Sequence, residues 1–345
     1  MGPAHAARDA DAWTTWVSSS VGPSVIDHAT APGGFVQGST RSQTLRVGVS
    51  VWLRRFAWAT LVANILLIVT GGAVRLTDSG LGCPTWPRCT DSSFTPHGTI
   101  GPHQLVEFGN RTLTFVLVAI AVATFVAARQ DARRLGRPDL LRLSVVLALA
   151  IPAQAVLGGI TVLTDLNPWI VSLHLIISLA IVSAAVLFLH RLDHPPVAPA
   201  TGVVPGLAWT TYAATWLVLY AGTAVTGSGP HAGDAKAPRN GLDPLQVSQF
   251  HADLVFLLIG LTVGMWFALR ATGGDPRPVV ALAAVEVLQA AVGFIQYFAG
   301  LPVGVVMLHM LGAGLVIAAA TWLLVVVREP VETSERTEAD GLLTS

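Results

Sequence analysis

Charged side chains are scarce in this sequence. Asp, Glu, Lys and Arg make up 12% of 345 residues, about half the share a soluble domain carries, and the mean hydropathy is +0.63. That shortage excludes an ordinary soluble domain and implies a polytopic membrane protein. An excess of either sign is missing as well. The 20 basic residues balance 20 acidic ones, so nothing in the overall charge favours a nucleic-acid partner, and none is expected. Cysteine stops at two residues, Cys83 and Cys89, too few for a multi-cysteine metal framework or a disulfide-stapled scaffold. The alternation of a membrane strand is lacking too, and three tyrosines beside ten tryptophans suit a helical bundle with interfacial anchors better than a barrel.

What is present is a series of eight apolar runs long enough to cross about 30 Å of hydrocarbon. They lie near residues 53–75, 104–128, 143–163, 169–190, 207–227, 247–270, 279–299 and 303–327. Residues 1–50 and 329–345 read as disordered polar tails, the first without the apolar core of a signal peptide. Arginine placement sets the orientation. Arg41, Arg46, Arg54, Arg55, Arg129, Arg133, Arg134, Arg137, Arg142, Arg191, Arg270, Arg277 and Arg328 fall on one side, against only Arg75, Arg88, Lys236 and Arg239 on the other. Both termini are therefore expected in the cytoplasm, and the cysteine loop outside a plasma membrane.

The spans also repeat. QAVLGGITVLTDLNPWIVSLH (154–174) and QAAVGFIQYFAGLPVGVVMLH (289–309) share a Gln-Ala start, a Gly four residues after the Gln, and a Leu-His end. GGAVRLTDSG (71–80) resembles GTAVTGSG (222–229), and LVEFGNR (105–111) stands where VSQFHAD (247–253) does. The expected architecture is all-α: eight transmembrane helices in two tandem four-helix bundles, residues 51–192 and 207–328, joined by a cytoplasmic linker, 193–206. Four spans per repeat keep both halves in one orientation, related by a pseudo-two-fold axis along the membrane normal.

Six of the ten histidines, His5, His28, His97, His190, His194 and His231, fall in tails, loops or span ends and read as solvated. His174, His251 and His309 lie inside spans and His103 at the mouth of one, where an imidazole is costly without a partner. Each lies within about 10 Å of the outer interface. His251 and His309 match in depth, and facing imidazoles across a four-helix bundle can hold a low-spin haem iron. A helix–helix hydrogen bond or a proton relay are the alternatives, and zinc is disfavoured because no further ligands share that depth. The first repeat is less regular. His174 matches His309, but the place of His251 falls near Asn110, and the nearest histidine is His103. His103, Glu107 and Asn110 or Arg111 form a polar stripe at i, i+4, i+7 and i+8, expected to line a site; its plain alternative is a Glu107–Arg111 ion pair that anchors the span end. Cys83 and Cys89, six positions apart with Pro84 and Pro87 between them, are placed to form a disulfide, as a structural bridge or a redox-exchanging one.

At TGGAVRLTDSGLGCPTWPRC, HQLVEFGNR, the two Gln-to-His segments and His251, the chain resembles the haem A synthase family, from about residue 50 to 328. The resemblance implies an oxidoreductase that converts a methyl group of haem O into the formyl group of haem A, used by cytochrome oxidase. It implies haem b held by His251 and His309, substrate haem O in the first half near His174, and an essential glutamate at Glu107. The family's outer-loop cysteines carry over to Cys83 and Cys89. Arg111 and Arg75 are candidates to pair with Glu107 or with haem propionates. Many members have a histidine three residues after the glutamate; here Asn110 stands there. Either His174 alone holds the substrate iron, which is favoured, or His103 substitutes. Haem O synthase, cytochrome oxidase assembly proteins, membrane lipid and an unidentified electron acceptor are the implied partners. The competing classes are a bis-histidine diheme electron-transfer protein and a haem carrier or transporter; an Asp-rich diphosphate motif, needed by a haem O synthase, is absent.

Overall fold

The computed structural model describes residues 48–96 and 100–329. The expected tails up to residue 47 and from 330, with His5, His28 and His97, lie outside the described residues. Those described form eight helices: α1 (Val51–Leu76), α2 (Pro102–Leu135), α3 (Pro138–Leu163), α4 (Pro168–Asp193), α5 (Val203–Ser228), α6 (Pro244–Thr272), α7 (Arg277–Phe298) and α8 (Val303–Val327).

Their ends follow local chemistry. Proline opens α2, α3, α4 and α6 and stands second in α7, where its missing N–H costs nothing and its fixed φ suits the first turn. Side chains of Ser50, Asn167 and Asp243 accept from the first free amides of α1, α4 and α6. Gly136 and Gly273 end α2 and α6 at φ 65° and 70°, the left-handed conformation glycine adopts without a Cβ clash.

Seven of the eight are long and apolar enough to cross a membrane. The exception is α5, one of the eight expected spans. It is 26 residues long and free of charge, but its Thr, Trp and Tyr content lowers its hydropathy. The chain is a multi-pass membrane protein.

Packing runs in two rings. In the first, α1, α2, α3 and α4 contact one another in cyclic order, and α5, α6, α7 and α8 do the same in the second. The rings meet through α1 with α8, α4 with α8, and α4 with α5. Exchanging α1 for α5, α2 for α6, α3 for α7 and α4 for α8 maps every one of these contacts onto another. Small residues allow the close approach at the seam. A Cβ at Gly72 would stand 3.3 Å from Met310, and one at Gly314 3.3 Å from Ile65, the small-residue packing usual between helices that apolar burial alone does not drive together in lipid. The main core lies along this seam, from Leu53, Ala57 and Ile65 on α1 through Val182, Ala185 and Phe188 on α4 to Ile317 on α8.

One end of the bundle is laced by ion pairs. Arg54 grips Asp193, Arg134 pairs with Asp131, and Arg137 with Asp139. His190 was expected at a solvated span end, but it is mostly buried there, bonded to Glu329 at 2.7 Å and stacked on His194. Glu329, just past α8, reaches the end of α4 and takes water's place.

Candidate functional site

The opposite end holds the candidate site, and the two halves build it from matching parts. On α3, Gln154 Nε2 donates to the carbonyl of His174 at 3.0 Å; on α7, Gln289 Nε2 donates to that of His309 at 2.8 Å. Four residues on, a glycine makes room for each ring. A Cβ at Gly158 would lie 3.2 Å from His174 Cε1, and one at Gly293 3.3 Å from His309 Cε1. Both Nδ1 atoms are buried without a partner, and neither Nε2 makes a hydrogen bond among the described residues. The sequence showed the Gln and Gly of this repeat but not their use: one holds the histidine's backbone, the other seats its imidazole.

His251 completes the second half. Its ring rests on Gly222 of α5, where a Cβ would stand 3.2 Å away, and its Nδ1 lies 3.1 Å from the carbonyl of Val218. A carbonyl only accepts, so Nδ1 carries the proton and Nε2 is left with the free lone pair, the orientation used by metal-ligating histidines. Helices α6 and α8 do not pack directly; they stand diagonally across the ring. Two histidines with free ring nitrogens, each seated on a glycine and facing across a bundle, fit a haem iron.

In the first half, α2 and α4 are likewise diagonal, but α2 brings no imidazole inward. Asn110 is the half-buried residue there, and its Oδ1 is buried without a partner. His103 is exposed at the helix mouth, 3.1 Å from Ser79 Oγ, and lines a shallow pocket with Asp78, Leu81, Gly82, Asp234 and Ala235. Among the described residues it makes no hydrogen bond with His174.

The polar stripe of α2 faces the cysteine loop. Glu107 is 4% exposed; its Oε2 accepts from the Cys83 amide at 2.6 Å, and its Oε1 takes an ion pair from Arg111. The plain alternative for the pair is thus what forms, with an addition. Arg111 also donates to the carbonyls of Cys83 at 2.8 Å, Thr85 at 3.0 Å and Arg88 at 3.3 Å. Cys83 and Cys89 form the expected disulfide and are fully buried. Trp86, between them, packs so tightly on Gly159 of α3 that no larger residue would fit. The loop is therefore a roof, pinned to α2 by a charge-assisted network and to α3 beside the His174 seat.

Arg75 pairs neither with Glu107 nor with any other acid among the described residues. It reaches into the second half and donates to His231 O at 2.7 Å and Thr226 O at 2.9 Å, beside a backbone bond from Gly80 N to Gly233 O of 2.8 Å. Free carbonyls past the last turns of α5 draw the guanidinium away from the acid. Sequence reading also passed over Glu286, a carboxylate buried in α7, bonded by Thr262 Oγ1 of α6 at 2.8 Å. A single acid in an otherwise apolar run was the available signal.

A multi-pass helical membrane protein with glycine-seated histidines in each half, one pair facing across its bundle, is the class that fold and site define. The chain belongs to the COX15-CtaA family, described as cytochrome oxidase assembly protein, whose model matches residues 54–100 and 99–241. Among curated relatives, it is 35% identical over 183 residues to the heme A synthase of Lysinibacillus sphaericus, covering 50% of this chain and 58% of that one. It is 32% identical over 123 residues to the heme A synthase of Geobacillus thermodenitrificans, 35% of this chain and 37% of the relative. The heme A synthase of Shewanella oneidensis is 29% identical over 156 residues, 41% and 44% of the two chains. The alignments thus span between 37% and 58% of these relatives' own length.

Proposed function

We propose that the chain is a haem A synthase, an oxidoreductase that converts a methyl group of haem O to the formyl group of haem A for cytochrome oxidase. The observation that carries this reading is the asymmetry between two otherwise matched seats. Gln-Gly-His is built twice, yet only the second half opposes its histidine with another. Two opposed imidazoles would suit a haem kept as an electron carrier, whereas a lone imidazole would suit a haem that has to react.

In this reading His251 and His309 hold haem b, which supplies a one-electron relay between substrate and an external acceptor. His174 holds the iron of haem O, with Gln154 and Gly158 fixing its ring. Asn110 stands where a second ligand would be and leaves that position open; His103, engaged with Ser79, does not substitute. The roof made by the disulfide loop excludes water from the first half. Glu107 accepts, at Oε2, a proton released as the methyl group is oxidised, and its Arg111 partner keeps the carboxylate oriented. Arg111, at the rim, is the better placed of the two arginines to meet a propionate, since Arg75 is committed to carbonyls of the other half.

The arginine-rich, ion-paired end of the bundle faces the cytoplasm, with both termini, and the roofed end faces outward across the plasma membrane. The halves are related by a pseudo-two-fold axis along the membrane normal and divide the labour, residues 51–192 for substrate and 207–328 for haem b. Haem O synthase and cytochrome oxidase assembly proteins are the natural neighbours for delivery and removal.

The test is expression of the full chain with and without a source of haem O, followed by identification of extracted haems by chromatography and mass. Haem A only when haem O is supplied, beside constant haem b, is the expected result. Haem b in both halves and no haem A, with an electron acceptor present, would instead favour the diheme electron-transfer class.

A further inference from the structure

Glu286 has no part in the reading above, yet its placement is specific. On α7, Glu286, Gln289 and Gly293 fall at i, i+3 and i+7, along one face of the helix. Gln289 and Gly293 are the two residues that seat His309, so Glu286 shares their face, about 10 Å along the axis from Gly293 toward the arginine-rich end. On α6, His251 and Thr262 are eleven residues apart, close to three whole turns, and also share a face. The two faces meet where Thr262 Oγ1 donates to Glu286 Oε1 at 2.8 Å, with Thr262 1% and Glu286 5% exposed. The pair sits in the bundle interior, directly inward of the two histidines.

The first half has nothing comparable. The register that aligns Gln154 with Gln289 puts Ile151 in the place of Glu286, and the register that aligns LVEFGNR with VSQFHAD puts Ile120 in the place of Thr262. Ile151 packs there with Leu117 and Ala121 in an apolar cluster. Nor does a counter-ion meet the acid. Of the titratable groups on the helices packed against it, α6 carries His251, Asp253 and Arg270, α8 carries His309, and α7 itself adds Arg277 and Tyr297. Among the described residues none of them bonds to or pairs with Glu286. An acid retained in hydrocarbon with one hydroxyl for company marks a functional site, because an apolar residue would cost far less.

We propose, resting on the reading of His251 and His309 as a haem seat, that Glu286 is the proton-carrying group of that seat. As the seat gains one electron from oxidation of the substrate methyl in the first half, the Glu286 carboxylate takes one proton from the cytoplasmic side. It returns that proton when the electron leaves for the acceptor, so charge in the membrane interior stays balanced. Thr262 positions the carboxyl. Charges about 10 to 16 Å apart, the axial offsets of the pair from Gly293 and from His251, couple at the effective dielectric of a protein interior by roughly five- to fifteenfold in an equilibrium constant, enough for the iron's redox state to bias the proton.

The test is a spectroelectrochemical redox titration of the purified full chain at a series of pH values, comparing the wild type with Glu286→Gln and Thr262→Val. A bis-histidine haem spectrum in all three shows that the seat is intact. Expected is a wild-type midpoint potential that falls as pH rises, a flat profile in Glu286→Gln, and a displaced profile in Thr262→Val. If Glu286→Gln does not retain haem, Thr262→Val alone decides, and an unchanged profile there overturns the proposal. So does a flat wild-type profile, or the same slope in Glu286→Gln, which would assign the proton elsewhere. A wild type without haem between His251 and His309 would overturn the proposed function itself, a distinct result.

Discussion

Glu107 accepts a hydrogen bond of 2.6 Å from the backbone amide of Cys83, so the buried carboxylate of α2 and the disulfide loop are one unit. A change in either is felt by the other. Glu107→Gln keeps an acceptor for the amide but removes the charge that Arg111 pairs with. Loss of haem A with haem b retained is expected, with a destabilisation of about 1–3 kcal/mol. Undiminished haem A would refute a catalytic Glu107 and leave it as the loop's anchor.

The disulfide closes a loop already held by Arg111 through three carbonyls. Replacing both Cys83 and Cys89 with Ser is therefore expected to lower stability by about 2 kcal/mol, the loop-closure value for so short a segment, without unfolding the chain. Haem A output separates the two roles for the bridge. Output that persists in the double variant makes it structural, while output lost at unchanged haem b content makes it redox-active.

Gly293→Ala sets a methyl group 3.3 Å from His309 Cε1, close enough that the ring must shift by a few tenths of an ångström. Overpacking of this kind costs about 1–3 kcal/mol, so haem b occupancy is expected to weaken by roughly ten- to a hundredfold. The haem-to-protein ratio of purified protein measures it. The same change at Gly300, which has open space around it but φ 75°, is a control that strains the backbone without touching a histidine.

Asn110→His places on α2 the second imidazole that the first half lacks opposite His174. The expected outcome is a second low-spin haem signal in the reduced-minus-oxidised spectrum, and haem A production lowered because the open position is filled. Unchanged production with one haem signal would show that residue 110 does not face the substrate iron.

At the other end of the bundle, Asp131 accepts from the Ser50 amide at 2.6 Å and pairs with Arg134 while 3% exposed. Asp131→Ala leaves a helix-capping amide without its acceptor. Thermal denaturation in detergent is expected to show a loss of about 1–3 kcal/mol with haem content and activity unchanged.

Much of this protein was legible in one dimension. Hydropathy alone located the helices, since each must satisfy its backbone internally and hide about 20 apolar residues in lipid, and only α5, diluted by Thr, Trp and Tyr, fell short of that signature. The duplication placed Gln154 with Gln289 and His174 with His309, because equal spacing on a helix means equal depth. The Asn110 departure was visible for the same reason.

What spacing could not tell is what lies across from a residue. His103, Glu107 and Arg111 share a helix face, but which neighbour that face meets depended on the return path of the loop, which brings Cys83, Thr85 and Arg88 to them. Arg75 was a candidate to pair with Glu107 or a propionate, and it donates to the carbonyls of Thr226 and His231 at the end of α5, a contact that no spacing in the sequence announces. Glu286 was overlooked for want of its partner, Thr262, which only the packing of α6 on α7 supplies. The sequence by itself determined the helices, the repeated segments and the place of each histidine along its helix, since these follow from local hydropathy and helical rise. Only the tertiary structure decided which polar groups meet, because hydrogen bonds and ion pairs are made between chain segments whose contact no periodicity encodes.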